Sequence, residues 1–225
     1  MKEVKTVRVK FSKHSNLIYI SHLDLNRVFK RAFRRADIPM YYSEGFSPHP
    51  RFGFALPLSV GISSDCEFVD IKLSEDMSVE EVGERLSKVM PDGIDILEAY
   101  ESDAKFKTIT DSEYEITVNS DKITEDMTER AGKVLSASPL VVLKRTKSGE
   151  KDTDISPFIR GFSLRAENGK FFVRCLLCAD SANYLNPEYL VKVLEKEFDL
   201  DLENDISSYV EINRTEVFIN GKEFR

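Results

Sequence analysis

The chain has 225 residues, 41% hydrophobic and 32% charged, an ordinary mix for one large or two small globular domains. No apolar run approaches the ~20 residues of a membrane-spanning helix, and three cysteines, an odd number, argue against a disulfide framework. The net charge of -7 would count against a nucleic-acid partner if it were evenly spread, but residues 1–60 hold 11 Lys/Arg against 4 Asp/Glu, a net of +7, so the other 165 residues carry -14.

All three histidines, His14, His22 and His49, also fall in the basic stretch. One cationic working surface on an acidic, solubilising body is the expectation. The opening MKEVKTVRVKF has no apolar signal core, so a cytoplasmic location is expected.

Residues 4–11 alternate apolar and polar and predict a strand. Ser21, with Asp24 three residues on, predicts the start of a helix running to about Ala36. Leu25, Val28, Phe29, Ala32 and Ala36 form its apolar stripe. Asp37-Ile38-Pro39 ends it. Alternation over Phe52–Ser59 predicts a second strand, and CEFVDIKL, 66–73, a third. Ser78 with Glu81 is a full capping box before a helix with Val82, Leu86, Val89 and Met90 inward. Pro91-Asp92-Gly93 stops that helix, and IDILEAY, 94–100, predicts a further strand. The order β-α-β-β-α-β is ferredoxin-like.

A polar stretch at 101–111 reads as a linker, after which the order repeats. Tyr114–Val118 predicts a strand, and Thr124 the cap of a helix with Met127, Ala131, Val134 and Leu135 inward. LVVLKR, 140–145, predicts another strand. Residues 154–179 hold one or two more, with Glu167-Asn168-Gly169-Lys170 as a hairpin turn. Asn186 as N-cap and Pro187 as first helical residue open a helix with Leu190, Val191, Leu194 and Phe198 inward. YVEINRTEVFI closes the chain as a strand. The fold class expected is therefore α+β, two tandem ferredoxin-like (βαββαβ) units with antiparallel sheets, over 1–103 and 111–225.

Arg27, Lys30, Arg31, Arg34 and Arg35 recur at i, i+3, i+4, i+7 and i+8, one face of the first helix opposite its apolar stripe. Arginine suits bidentate contact with phosphate oxygens, although a solvated face has the same spacing. The loop YYSEGFSPHPRF, 41–52, follows directly. Pro48 and Pro50 fix φ on both sides of His49, and Gly45 suits a positive φ. Tyr42, Ser43, Phe46 and His49 are candidates for contact with a base or a partner protein, and Arg51 for a phosphate. His22 and His49 are weak candidates for acid–base chemistry. Cys175 and Cys178 have a metal-knuckle spacing but lie in a strand pattern, so they read as buried apolar residues. Arg160 and Arg214 are candidates either for cross-strand pairing with Asp154 and Glu216 or for extension of the cationic site. No metal-ligand set and no cofactor-binding motif is found.

The segment ISHLDLNRVFKRAFRRADIPMYYSEGFSPHPRFGFALPLSVGISSDCEFVDIKL resembles the N-terminal signature of the radical SAM-associated (radical SAM-linked) bacterial proteins of unknown function. The shared positions include Ser21–Leu25, Arg27, Arg31, Arg34, Arg35, Pro39, Tyr42, Ser43, Gly45, Phe46, Pro48, Pro50, Pro57 and Gly61; DISPFIR and NRTEVF resemble weaker motifs. The resemblance implies a radical SAM enzyme acting in trans. The arrangement is also similar at fold level to the RAMP endoribonucleases. The leading expectation is a non-catalytic RNA-binding accessory protein, its RNA a tRNA or rRNA. The alternatives are a metal-independent RAMP-like endoribonuclease and a protein-interaction module for a radical SAM enzyme that uses no RNA.

Overall fold

In the computed structural model, which describes residues 4–146, 149–180, 183–202 and 204–225, the first alternating stretch forms β1, Lys5–Lys13. Val7, Val9 and Phe11 point to one face and are fully buried. The capped helix follows as α1, His22–Arg35, then β2, Phe52–Phe54, and β3, Ser63–Leu73. The second capped helix is α2, Val79–Ser87, and β4, Ile96–Tyr100, completes the set. β1 lies between β4 and β3, β2 pairs with β3, and all these pairings are antiparallel. One sheet face carries both helices, over a core of Val7, Val9, Phe11, Phe29, Val69, Ile71, Val82 and Leu86.

The chain divides into two units, one running to Phe106 and including Arg225, the other Lys107–Phe224. The second unit holds β5, Asp111–Asn119; α3, Met127–Leu135; a hairpin of β6, Val141–Thr146, and β7, Gly149–Asp154; β8, Ile159–Glu167; β9, Lys170–Cys178; α4, Glu188–Phe198; and β10, Tyr209–Ile219, with the short β11, Lys222–Glu223, folded back on it. Its sheet runs β10-β5-β9-β8, again antiparallel. The class is α+β, with four α-helices among the described residues. No described helix is long and apolar enough to cross a membrane.

Several expectations need correction. The strand predicted over 52–59 stops at Phe54, because Leu56 takes a positive φ of 37° and Ala55, not its neighbours, is buried. LVVLKR is no member of the main sheet: it pairs with the polar segment GEKDTD, whose composition gives no periodicity to read. Thr124 does not cap α3; the N-cap is Asp126, with no side-chain cap hydrogen bond. α4 begins one residue late, at Glu188, though the Asn186 side chain still accepts from its N–H at 3.1 Å. Val193 rather than Val191 faces the core. Arg160 pairs with Asp111 at 3.0 Å instead of Asp154, whose carboxylate accepts from the backbone N–H groups of Leu140 and Ser156.

The first unit is organised by rings. Phe29 of α1 stands 4.9 Å from Phe11, 5.0 Å from Phe54 and 5.9 Å from Phe33, centroid to centroid, and Phe33 stands 5.2 Å from Phe52. The angles are steep, as ring quadrupoles favour. Truncating Phe29 would leave a cavity that rigid neighbours cannot fill. Phe29→Ala is expected to lower stability by about 3–5 kcal/mol, read as an earlier urea transition of the first unit.

Candidate functional site

The basic face of α1 starts from its caps. The Ser21 hydroxyl accepts from the Asp24 N–H at 3.1 Å and donates to its carboxylate at 2.7 Å. Those contacts and the Arg27 guanidinium, 2.6 Å away, hold the Asp24 carboxyl below the usual carboxylate range. At the other end Asp37 takes φ 49°, and the Ile38 N–H reaches back to the Phe33 carbonyl at 3.0 Å and the Asp37 N–H to Arg34 at 3.3 Å. That Schellman closure brings Ile38 against Phe33. Arg85 of α2 adds bonds from its guanidinium to the carbonyls of Ala36, 3.4 Å, and Asp37, 3.1 Å.

Burial of Leu25, Phe29, Ala32, Phe33 and Ala36 leaves Arg27, Lys30, Arg31, Arg34 and Arg35 exposed on the opposite arc. Among the described residues, Lys30, Arg31, Arg34 and Arg35 make no ion pair, whereas Arg27 is tied to Asp24. Two other cations counted in the basic stretch are no part of any surface: Arg8 and Lys13 are buried. Arg8 is locked by two bonds to Asp70, 2.7 and 2.9 Å, and by the Phe106 ring, 4.7 Å away.

The loop that follows α1 has a pinned stem. The Tyr41 N–H donates to Lys72 of β3 at 2.7 Å, and the Lys72 N–H donates to Arg51 at 3.0 Å. One step further, Ser43 N–H donates to His49, 2.9 Å, and Arg51 N–H to Tyr41, 2.8 Å, around the Tyr42–Pro50 bridge. Pro50 thus occupies a non-hydrogen-bonded pair position, where its missing N–H costs nothing. Ser43 is 7% exposed; its hydroxyl accepts from the His49 N–H at 3.1 Å and meets His49 Nδ1 at 2.8 Å. Gly45 turns the tip at φ 114°, and next to it Phe46 stands wholly in solvent at 112% exposure.

Helix and loop together enclose a cavity of about 250 Å³. Its rim is Arg27, Lys30, Arg31 and Arg34; its floor and far wall are Phe33, Ile38, Met40, Pro50 and Tyr42. The candidate residues therefore separate. Four helix cations and Tyr42 converge. Arg35 lies on the same helix face but outside the cavity lining. Arg51 faces a second, larger groove of about 1290 Å³, with Lys5, Lys72, Asp76 and Glu101. There Lys5 is bound by Glu101 at 3.0 Å and Asp76 at 3.6 Å, and the Glu101 contact raises its pKa. That groove is mixed in charge, since Asp70, Glu75, Asp76, Glu101 and Asp103 line it together with its cations. Phe33, Ile38, Met40 and Arg85 were not singled out from the sequence. Phe33 carries a signal, four residues after Phe29; Ile38 is visible in the sequence only as part of the helix end Asp37-Ile38-Pro39, and its packing on Phe33 comes from the Schellman geometry.

Each histidine has a local partner. His22 packs its edge on Phe54 at 5.5 Å and meets the Asn26 amide at 3.1 Å. His49 is held by Ser43, and His14 pairs with Asp65 at 3.0 Å. Cys175 and Cys178 are buried free thiols, and burial pushes the Cys175 thiol up to about 12. Among the described residues no cluster of three or more His, Cys, Asp or Glu could hold a metal ion.

The chain belongs to the family described as an uncharacterized protein conserved in bacteria (DUF2344), which it matches over residues 6–187. No curated protein matches it. It is similar to a chain in the crystal structure of a Cbf5-Nop10-Gar1 complex, at 8% identity and a TM-score of 0.48, covering 94% of this chain and 48% of that one. It thus spans about half the length of that relative. A second similarity is to an unknown protein from Galdieria sulphuraria, at 13% identity and a TM-score of 0.27, covering 94% of this chain and 99% of the other. At these scores neither likeness bears on function.

The rigidity of the loop rests on Ser43, which serves the His49 N–H and ring at once. Ser43→Ala is expected to cost about 0.5–1.5 kcal/mol and to speed amide hydrogen exchange at His49 while leaving β3 protected.

Proposed function

We propose that this protein is a non-catalytic RNA-binding accessory protein that works with a radical SAM enzyme supplied in trans. The observation that carries the RNA part is the rim of Lys30, Arg31 and Arg34, with Arg35 beside it. All four lack ion-pair partners among the described residues, and Lys30, Arg31 and Arg34 border a cavity also lined by the rings of Phe33 and Tyr42. Arg85 by contrast pairs with Glu81 at 2.5 Å and Lys133 with Glu129 at 2.6 Å; what sets the α1 cations apart is that four of them stand together on one face. Unpaired arginines at fixed spacing instead suit bidentate contact with phosphates. A pinned loop presents its side chains with little ordering cost on binding.

The enzyme partner is supported by the resemblance of the 20–73 segment to radical SAM-linked proteins. Phe46, held out at the tip of the stiff loop, suits a protein surface, and this favours a second reading in which the loop docks on that enzyme and no RNA is involved. We also read each unit as a ferredoxin-like module. The orders β4-β1-β3-β2 and β10-β5-β9-β8 support this, with β6 and β7 as a hairpin inserted after α3. The RNA in this reading is a tRNA or an rRNA.

The test is the charge-reversed variant Arg31→Glu/Arg34→Glu/Arg35→Glu. All three side chains are exposed, so the far-UV circular dichroism should not change. RNA affinity of the wild type should fall by about 0.7 log units per phosphate contact for each tenfold rise in salt, and the variant should lose most of the affinity and flatten that slope. Affinity unchanged in the variant would overturn the reading.

A further inference from the structure

We infer that the cavity between α1 and the loop receives one unpaired nucleotide, its base on the apolar floor and its phosphates on the cationic rim. The inference rests on the RNA-binding reading above and specifies what the site selects. Three observations point to it. First, the cavity lining is amphipathic: Phe33, Ile38 and Met40 are buried and apolar, with Pro50 half-buried beside them, and Arg27, Lys30, Arg31 and Arg34 are exposed cations. A simple phosphate site needs no such floor. A nucleotide has both an apolar flat part and a charged part.

Second, the volume is small. About 250 Å³ lies under the roughly 300–1,000 Å³ of clefts for drug-sized ligands. That is the scale of a single base. Third, Tyr42 lines the cavity and remains 41% exposed, with its backbone fixed by the bridge to Pro50 and the bonds on either side of it. An exposed ring on a backbone pinned by hydrogen bonds on either side can serve as a stacking platform, and bases in single strands, loops and bulges are free to use one. A paired base within a continuous A-form helix cannot enter, because its faces are already covered by its neighbours. The helix cations alone would not discriminate, since they meet phosphates in either form.

Fluorescence anisotropy with a labelled mixed-sequence oligoribonucleotide, used alone and annealed to its complement, tests this. The single strand should bind at least about tenfold more tightly than the duplex. Tyr42→Ala should weaken single-strand binding by about 5–150-fold, the range for loss of one stacked base, and leave duplex binding as it was, which also shows that the variant is folded. Tyr42→Phe should keep the wild-type preference. Equal affinity for both forms, or a Tyr42→Ala variant indistinguishable from wild type on the single strand, would overturn the nucleotide pocket. If the Arg31/Arg34/Arg35 charge reversal still weakened binding in that case, RNA binding itself would stand. A wild-type protein that binds neither form at low salt would overturn both.

Discussion

The packing of α1 against the rings of β1 and β2 is the constraint on which the candidate site depends. Phe29 touches Phe11 and Phe54, and Phe33 touches Phe52, so one helix face is committed to the core at two successive turns. Rotation of the helix would expose these rings, at roughly 1.5–3 kcal/mol for each side chain uncovered. The cations, spaced on the opposite arc, therefore have no choice but to face outward. The same cluster holds Phe52, the residue that ends the loop. Both ends of the 37–51 connection are thus anchored by one set of contacts, and the loop can only arch beside the basic face.

Charge then acts on a geometry that packing has set. A surface that carries four cations without carboxylate partners stores repulsion, which an arriving polyanion relieves by displacing counterions. The larger groove of the first unit is the useful contrast. It also holds lysines and an arginine, yet Lys5 is satisfied by Glu101 and Asp76, and the floor beneath is stiffened by the Arg8–Asp70 pair. Lys5 there is tied to two carboxylates; Lys30, Arg31, Arg34 and Arg35 on α1 are left to solvent. The Schellman closure links the two aspects, because the backbone bonds that end α1 also deliver Ile38 to the floor of the cavity.

How much of this is legible in the sequence differs by element. α1 is readable because Ser21, Asp24 and the 3.6-residue period agree, and local and tertiary preferences coincide there. β10 is readable because its β-branched and aromatic residues, Val210, Ile212, Thr215, Val217 and Phe218, suit a strand, although its register shifts between Arg214 and Glu216. β7 is not, since Gly149–Asp154 is polar throughout and is held by its partner strand, not by burial. The end of β2 is hidden for a different reason: Leu56 and Leu58 continue the alternation on paper, but the positive φ of Leu56 turns the chain. In the site, the cation stripe follows from spacing alone. The divergence of Arg51 from it does not, because the side of β2 on which Arg51 falls is decided by pairing with β3, a contact distant in sequence. Counting charges also misleads where burial intervenes, as Arg8 and Lys13 illustrate.

The central claim is that the cleft between α1 and the 41–52 loop is where this protein meets RNA. Ultraviolet crosslinking of the intact protein to bound RNA, followed by mass spectrometric mapping of the adducts, addresses it without altering any residue. The account predicts adducts on peptides containing Tyr42 or Phe46 and on the peptides of α1. Adducts confined to the second unit, or to the groove lined by Arg51 and Lys72, would contradict it.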